Sequence, residues 1–208
     1  IAGPAGWGGS TIAYDDAGNE LEIGRVLSDG AQEEMVLRLE RNGAGELTAV
    51  EDAGGARSDY IRDSQGNVTT VRLPASNDAG QRPEYTYERD DLGRVTVARD
   101  PLSRATRYEY DAYGRITKLT LPNPGTGATD FVWRWTYDEI EGDLFKTTVT
   151  DPNGAVTRSY EDVWGHTRKI VDAAGGETTI DWDEGRPVEI VDAEGNVTAY
   201  SYNSRGLL

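Results

Sequence analysis

The sequence predicts an all-β protein, an array of antiparallel β-hairpins in which one hairpin is repeated along the chain. Three observations lead there. A glycine-containing turn signal arrives every 10 or 11 residues over much of the chain. The stretches between turns alternate in polarity with a period of two, as half-buried strands do. A 3.6-residue apolar period is hard to find.

The first turn class opens on Tyr-Asp or a variant of it. Tyr85-Thr86-Tyr87 leads to Asp90-Asp91-Leu92-Gly93-Arg94, and Tyr108-Glu109-Tyr110-Asp111-Ala112-Tyr113-Gly114-Arg115-Ile116-Thr117 repeats it. Tyr160-Glu161-Asp162-Val163-Trp164-Gly165-His166 is looser, Trp182-Asp183-Glu184-Gly185-Arg186 is one residue shorter, and Tyr200-Ser201-Tyr202-Asn203-Ser204-Arg205-Gly206 closes the chain. A second class alternates with it: Asp100-Pro101-Leu102-Ser103, Asp151-Pro152-Asn153-Gly154, Asp172-Ala173-Ala174-Gly175 and Asp192-Ala193-Glu194-Gly195. Within a class the spacing is 20 or 21 residues, as from Gly93 to Gly114 and from Gly175 to Gly195. Each unit is therefore two strands of about six residues and two tight turns. Asp at the first turn position bonds its own backbone two residues on, Pro pre-sets φ at the second, and Gly supplies a positive φ at the end. Between turns Tyr108 and Tyr110 share one face and Arg107 and Glu109 the other, while Val188 and Ile190 lie opposite Glu189.

Residues 1–80 hold the same grammar in degenerate form, with turns at Asp15, Asn42, Asp52 and Asp63; residues 85–208 are regular. The 31–38 window is the one candidate helix, but the Asn42-Gly43 turn behind it favours a hairpin strand. Two loops break step, Pro74 to Pro83 and Pro122 to Gly127, and read as longer connections. No linker or composition shift marks a second domain, so 1–208 reads as a single array. The start, Ile1-Ala2-Gly3-Pro4-Ala5-Gly6, is neither a signal peptide nor a natural start, and the chain reads as a piece of something longer.

Composition narrows the function. With 21 Lys+Arg against 37 Asp+Glu the net charge is −16, which argues against nucleic-acid or anionic-membrane partners. No stretch approaches the roughly 18 apolar residues of a membrane span. The absence of Cys removes disulfides, thiolate catalysis and cysteine-ligated metals, and a single His leaves little scope for a histidine metal site. No nucleophile–base–orienter trio can be drawn. The expectation is no enzyme, no cofactor and no metal.

The alternating turns, Tyr110-Asp111-Ala112-Tyr113-Gly114-Arg115-Ile116-Thr117 above all, resemble the YD-repeat, or Rhs, family. Departures are Glu161 and Asn203 where Asp is expected, Trp182 where Tyr is expected, and a unit at Tyr137-Asp138 that runs long to Gly142. The resemblance implies a long sheet of hairpins that curls and spirals into a hollow shell. In the family that shell encloses a C-terminal toxin, or serves as a scaffold in toxin complexes and cell-surface proteins. It implies as partners the rest of a parent chain and an enclosed toxin or cargo, and a secreted or cell-surface location reached by a bacterial secretion system. The family's self-cleaving aspartates lie in an extended Asp-Pro context; Asp100-Pro101 and Asp151-Pro152 stand at ordinary repeat positions and read as turns.

The aromatic rows carry the alternative function, a carbohydrate- or cell-wall-binding module. Trp133, Trp135 and Tyr137 share a face, as do Tyr108 and Tyr110, and would form a stacking platform. The plainer reading, which we favour, is cross-strand pairing that holds neighbouring hairpins together at about 0.2–1 kcal/mol per pair. The acidic turns lack any recognised calcium loop. His166, where other copies have Arg94 or Arg115, reads as a solvated strand residue. Asn67-Val68-Thr69 and Asn196-Val197-Thr198 match a glycan acceptor but are explained by the repeat. An array cut at both ends leaves unpaired strand edges, which predicts that the chain either pairs edge to edge or needs the rest of its parent chain.

Overall fold

The computed structural model describes residues 10–26, 33–75, 80–125 and 129–208, and every regular element among them is a β-strand. The chain divides into two compact units, Ile1–Ala105 and Thr106–Leu208. The first six residues, Ala31 and Gln32, and parts of both long loops lie outside the described residues.

The first unit holds β1 (Ser10–Tyr14), β2 (Glu20–Val26), β3 (Glu33–Arg41), β4 (Leu47–Asp52), β5 (Arg57–Arg62), β6 (Val68–Arg72), β7 (Glu84–Arg89) and β8 (Val95–Arg99), each antiparallel to the next. The part of the 31–38 window that is described is thus strand. The second unit holds β9 (Ala105–Tyr110), which begins on the last residue of the first, then β10 (Ile116–Leu121), β11 (Phe131–Glu141), β12 (Leu144–Thr150), β13 (Val156–Glu161), β14 (Thr167–Val171), β15 (Glu177–Asp183), β16 (Arg186–Val191) and β17 (Val197–Ala199). These too pair antiparallel in chain order.

The two turn classes of the sequence have one geometry. At Asp111 the backbone N–H donates to the Arg115 carbonyl at 2.9 Å and the Gly114 N–H returns to the Asp111 carbonyl at 3.1 Å. Asp111 Oδ1 accepts the N–H groups of Tyr113 and Arg115, both at 2.9 Å. Asp151, of the second class, does the same with Asn153 and Ala155 at 2.8 Å. The fourth residue closes the turn at φ +85° in Gly114 and +84° in Gly154; Ser103 holds the same place at +61°. The short unit at Asp183 differs because Asp183 pairs directly with Arg186, leaving Glu184 and Gly185 as a two-residue turn with φ +46° and +76°.

Among the described residues no packed core forms: the buried side chains are Ala49, Ala105, Tyr160 and Asp162. Each unit is one sheet layer thick, so its stability rests on ladders, turns and cross-strand pairs. The faces differ. Tyr60, Val71 and Tyr85 lie in one cross-strand row; Tyr108, Leu119 and Trp133 form another, and Ile180, Ile190 and Thr198 a third. The opposite face holds ion pairs: Glu109–Lys118 at 2.7 Å, Glu139–Lys146 at 3.2 Å, Arg72–Glu84 at 3.2 Å and Arg99–Glu88 at 2.9 Å.

Candidate functional site

The turn carboxylates accept backbone N–H groups of their own turns. Burial pushes the Asp111 carboxyl up, but the Arg115 N–H and guanidinium and the Tyr113 N–H outweigh it and hold the group below the usual carboxylate range. Asp90 is held down in the same way against its own burial by Arg94 and Leu92, and Asp15 and Asp192 chiefly by the side-chain amides of Asn19 and Asn196. In these four turns the residue after the turn glycine therefore supports the aspartate that opens the turn. Arg94, Arg104 and Arg115 each place Nε at 2.6–2.7 Å from the second oxygen of that carboxylate. Asn67 and Asn196 use their amide nitrogens for the same bond, to Asp63 and Asp192. Asp100 and Asp151 accept two N–H bonds each within their turns. Among the described residues no three carboxylate or imidazole groups converge on a metal position.

His166 is not a solvated strand residue, contrary to the sequence expectation. Its ring stacks on Trp182 at 4.6 Å between centroids and 12° between planes, and Nδ1 lies 3.3 Å from Asp162 Oδ2. Arg168 supplies the guanidinium from the other side, with Nε 2.9 Å from the same oxygen. A flat ring substitutes here for the flat guanidinium of the other copies.

The residue just before the turn, or before the irregularity at Asp138 inside β11 in the case of Tyr137, carries the least anticipated feature. Tyr137 donates its hydroxyl to the carbonyl of Ile116 at 2.8 Å, Trp182 its indole N–H to Thr167 at 2.9 Å, and Tyr202 its hydroxyl to Pro187 at 2.9 Å. In the first unit the same place holds arginine: Arg41 donates to the Glu20 carbonyl, Arg62 to Leu47 and Arg89 to Val68, at 3.0–3.3 Å. Each acceptor lies at the start of the preceding strand, two residues beyond the last ladder pair (Ala49↔Asp59 for Leu47, Lys118↔Arg134 for Ile116). No turn joins the two strands at that edge, and the side chain closes the gap. Each arginine also donates to the carbonyl of its own turn glycine, Gly45, Gly66 or Gly93. Burial raises the Tyr137 phenol above its ordinary value, which keeps the donor protonated.

The departure at Tyr160-Glu161-Asp162 resolves differently. The aspartate is not replaced by Glu161: Asp162 itself builds the turn, with its N–H on the His166 carbonyl at 3.0 Å. The tyrosine is what has moved. Tyr160 lies on the ion-pair face with the Lys169 ammonium 4.3 Å from its ring. No clasp is required, because the long β11–β12 hairpin lets the ladder continue to Phe145↔Glu161.

The predicted platform is partly assembled. Trp133 and Trp135 are half-buried, with ring centroids 6.3 Å apart and 21° between planes. Tyr108 meets them through Leu119, the cross-strand neighbour of both Tyr108 and Trp133. Tyr137 is occupied by its clasp and by Arg115, whose guanidinium carbon lies 4.3 Å from the ring while the same group bonds Asp111 and Asp138. Tyr110 is half-buried at the end of β9.

A model of the RHS repeat matches residues 41–78, 89–126 and 181–208, half of the chain. The chain belongs to the RHS repeat family. Among solved structures, this RHS repeat chain is similar to the crystal structure of TcdB2-TccC3-Cdc42, with 16% identity and a TM-score of 0.54 over 95% of its own length and 12% of that chain. The crystal structure of TcdB2-TccC3 aligns over 90% of it and 13% of that chain, with 13% identity and a TM-score of 0.50. At these identities the likeness is one of fold, and the repeat chain spans a small part of either match. A search of the curated proteins finds no match.

Proposed function

We propose that the chain is wall material: one continuous repeat array, 1–208, within a longer parent protein whose shell encloses or scaffolds a toxin or another cargo. The observation that carries this reading is the one-layer, two-faced sheet. Rows such as Tyr108–Leu119–Trp133 line one face, ion pairs line the other, and among the described residues no second layer covers the rows. Apolar side chains left without a core call for a partner. The mechanism is exclusion: the apolar face holds cargo away from solvent while the charged face keeps the wall soluble. The partners are the rest of the parent chain and the cargo, the location is secreted or cell-surface, and the chain itself performs no chemistry. The test is protease protection of the enclosed segment in the parent protein carrying Leu119→Asp and Ile180→Asp. Protection should be lost while strand content by circular dichroism persists; intact protection would sink the reading.

The near-parallel Trp133 and Trp135 rings favour a second reading, a glycan-binding face with Tyr108, Tyr110 and Tyr137 beside them. Glycan-array binding that disappears in Trp133→Ala/Trp135→Ala would support it, and absence of binding by the unmodified chain would retire it.

A further inference from the structure

Two of the turns contain the same local sequence, Asn42-Gly43-Ala44 and Asn153-Gly154-Ala155. An asparagine followed by glycine is chemically labile, because a glycine nitrogen with no Cβ beside it can attack the asparagine side-chain amide. Both asparagines are exposed, and a Cβ added at Gly43 or Gly154 would meet nothing within 4 Å. Access to water and crowding therefore do not separate the two sites. Their places in the turn do.

Asn42 opens its turn and is tied at every polar group. Its N–H donates to the Glu46 carbonyl at 3.0 Å, and its carbonyl accepts the Gly45 N–H at 2.9 Å. Its Oδ1 accepts the N–H groups of Ala44 and Glu46, both at 3.0 Å, and its Nδ2 donates to Glu46 Oε2 at 2.7 Å. Turning this amide over the Gly43 nitrogen breaks all three side-chain bonds. Asn153 is the third residue of its turn, which uses only its N–H, donated to Asp151 Oδ1 at 2.8 Å. Its side-chain amide has no hydrogen-bond partner among the described residues. One contact opposes the difference: the attacking Gly154 N–H is itself donated to the Asp151 carbonyl at 3.0 Å. A single bond released at Asn153 against three at Asn42 leaves Asn153 the more reactive.

We propose that Asn153 is a site of spontaneous conversion to isoaspartate that weakens its turn, while Asn42 is protected by the turn it builds. The Gly154 nitrogen gives its proton to solvent and bonds to Asn153 Cγ; the Cγ–Nδ2 bond breaks and the nitrogen leaves as ammonia. Water then opens the cyclic imide. Opening at Cγ yields aspartate, and opening at the backbone carbonyl yields isoaspartate, whose main chain runs through Cβ and Cγ. The 151–155 turn is thereby lengthened by a carbon atom. It closes through Asp151 N–H on the Ala155 carbonyl at 2.9 Å and Ala155 N–H on Asp151 Oδ1 at 2.8 Å, directly beyond the Thr150↔Val156 pair that ends the β12–β13 ladder. The inference stands independently of the shell reading.

The test holds the 208-residue chain in warm, mildly alkaline buffer and follows both sites by peptide mapping. Isoaspartate is read by methyl transfer from labelled S-adenosylmethionine with an isoaspartate methyltransferase. Conversion at Asn153 should outpace that at Asn42 by about tenfold or more in native buffer, and the two rates should converge in urea. The isoaspartate form should melt below an Asn153→Asp variant, which carries the same new charge without the longer backbone. Equal or faster conversion at Asn42 in native buffer, a difference that persists in urea, or equal melting of the isoaspartate form and Asn153→Asp would each overturn the proposal.

Discussion

Gly154 has a φ of +84° and open space where a Cβ would stand, so its substitution probes backbone conformation alone. Gly154→Ala should cost about 1–2 kcal/mol in denaturant unfolding, the penalty for a left-handed backbone with a side chain. Ser103 occupies the same turn position at +61° and already bears that penalty. Ser103→Gly should therefore raise the unfolding midpoint, and a lowered one would mean the hydroxyl contributes more than the strain. The turn aspartates set the acid response. Asp15, Asp90, Asp111 and Asp192 titrate below ordinary carboxylates in the folded chain. The unfolded chain then takes up protons first as the pH falls, so their contribution is present above about pH 4 and lost below it. Melting temperatures measured from neutral pH downward should drop in that acid window. A continuous rise would mean that relief of repulsion among the 37 acidic residues outweighs the turns.

At the scale of the element, the clasp explains what the Tyr of Tyr137-Asp138 and the residues in its place at Trp182 and Tyr202 are for. Each is a donor long enough to reach the carbonyl beyond the end of the ladder, and phenol, indole and guanidinium all meet that need. Tyr137→Phe keeps the ring and leaves the Ile116 carbonyl without its donor; the expected loss is about 0.5–1.5 kcal/mol, read as a shift in urea midpoint. The stronger check is exchange between chemistries. Arg62→Tyr should retain more stability than Arg62→Leu, because the tyrosine restores a donor for the Leu47 carbonyl although not for Gly66. Equal losses would show that the guanidinium serves through its charge or its second bond alone.

At the scale of the whole molecule, a sheet one layer thick within each unit has two consequences. The described residues of each unit form no core, so stability is spread over repeats and neighbour contacts instead of concentrated in a few side chains. Strands such as β17, which is exposed along its length and pairs with β16, offer backbone groups to another strand. The isolated chain is therefore expected to self-associate with rising concentration. Salt should promote this by screening the −16 charge. Light scattering checks it; a single monomeric mass across concentration and ionic strength would count against edge pairing.

The hairpin period, the strand positions and the turn chemistry were legible in the sequence because each is local: a two-residue polarity alternation and an Asp-x-x-Gly signal act within five residues. Residues 14–80 look degenerate in part because Arg41 and Arg62, like Arg89 beyond them, stand where the repeat calls for tyrosine, and their equivalence depends on a carbonyl 15 to 21 residues back in the chain. The same limit hid the stacking of His166 on Trp182, and it made Tyr160-Glu161 look like a worn copy instead of a turn beside a longer hairpin. Sequence by itself determined which residues make strands and turns and which side chains share a face. Tertiary structure alone decided which donor reaches which carbonyl, which aromatics are left in solvent and which are occupied, since these depend on register between hairpins, where the ladder of one ends against the next.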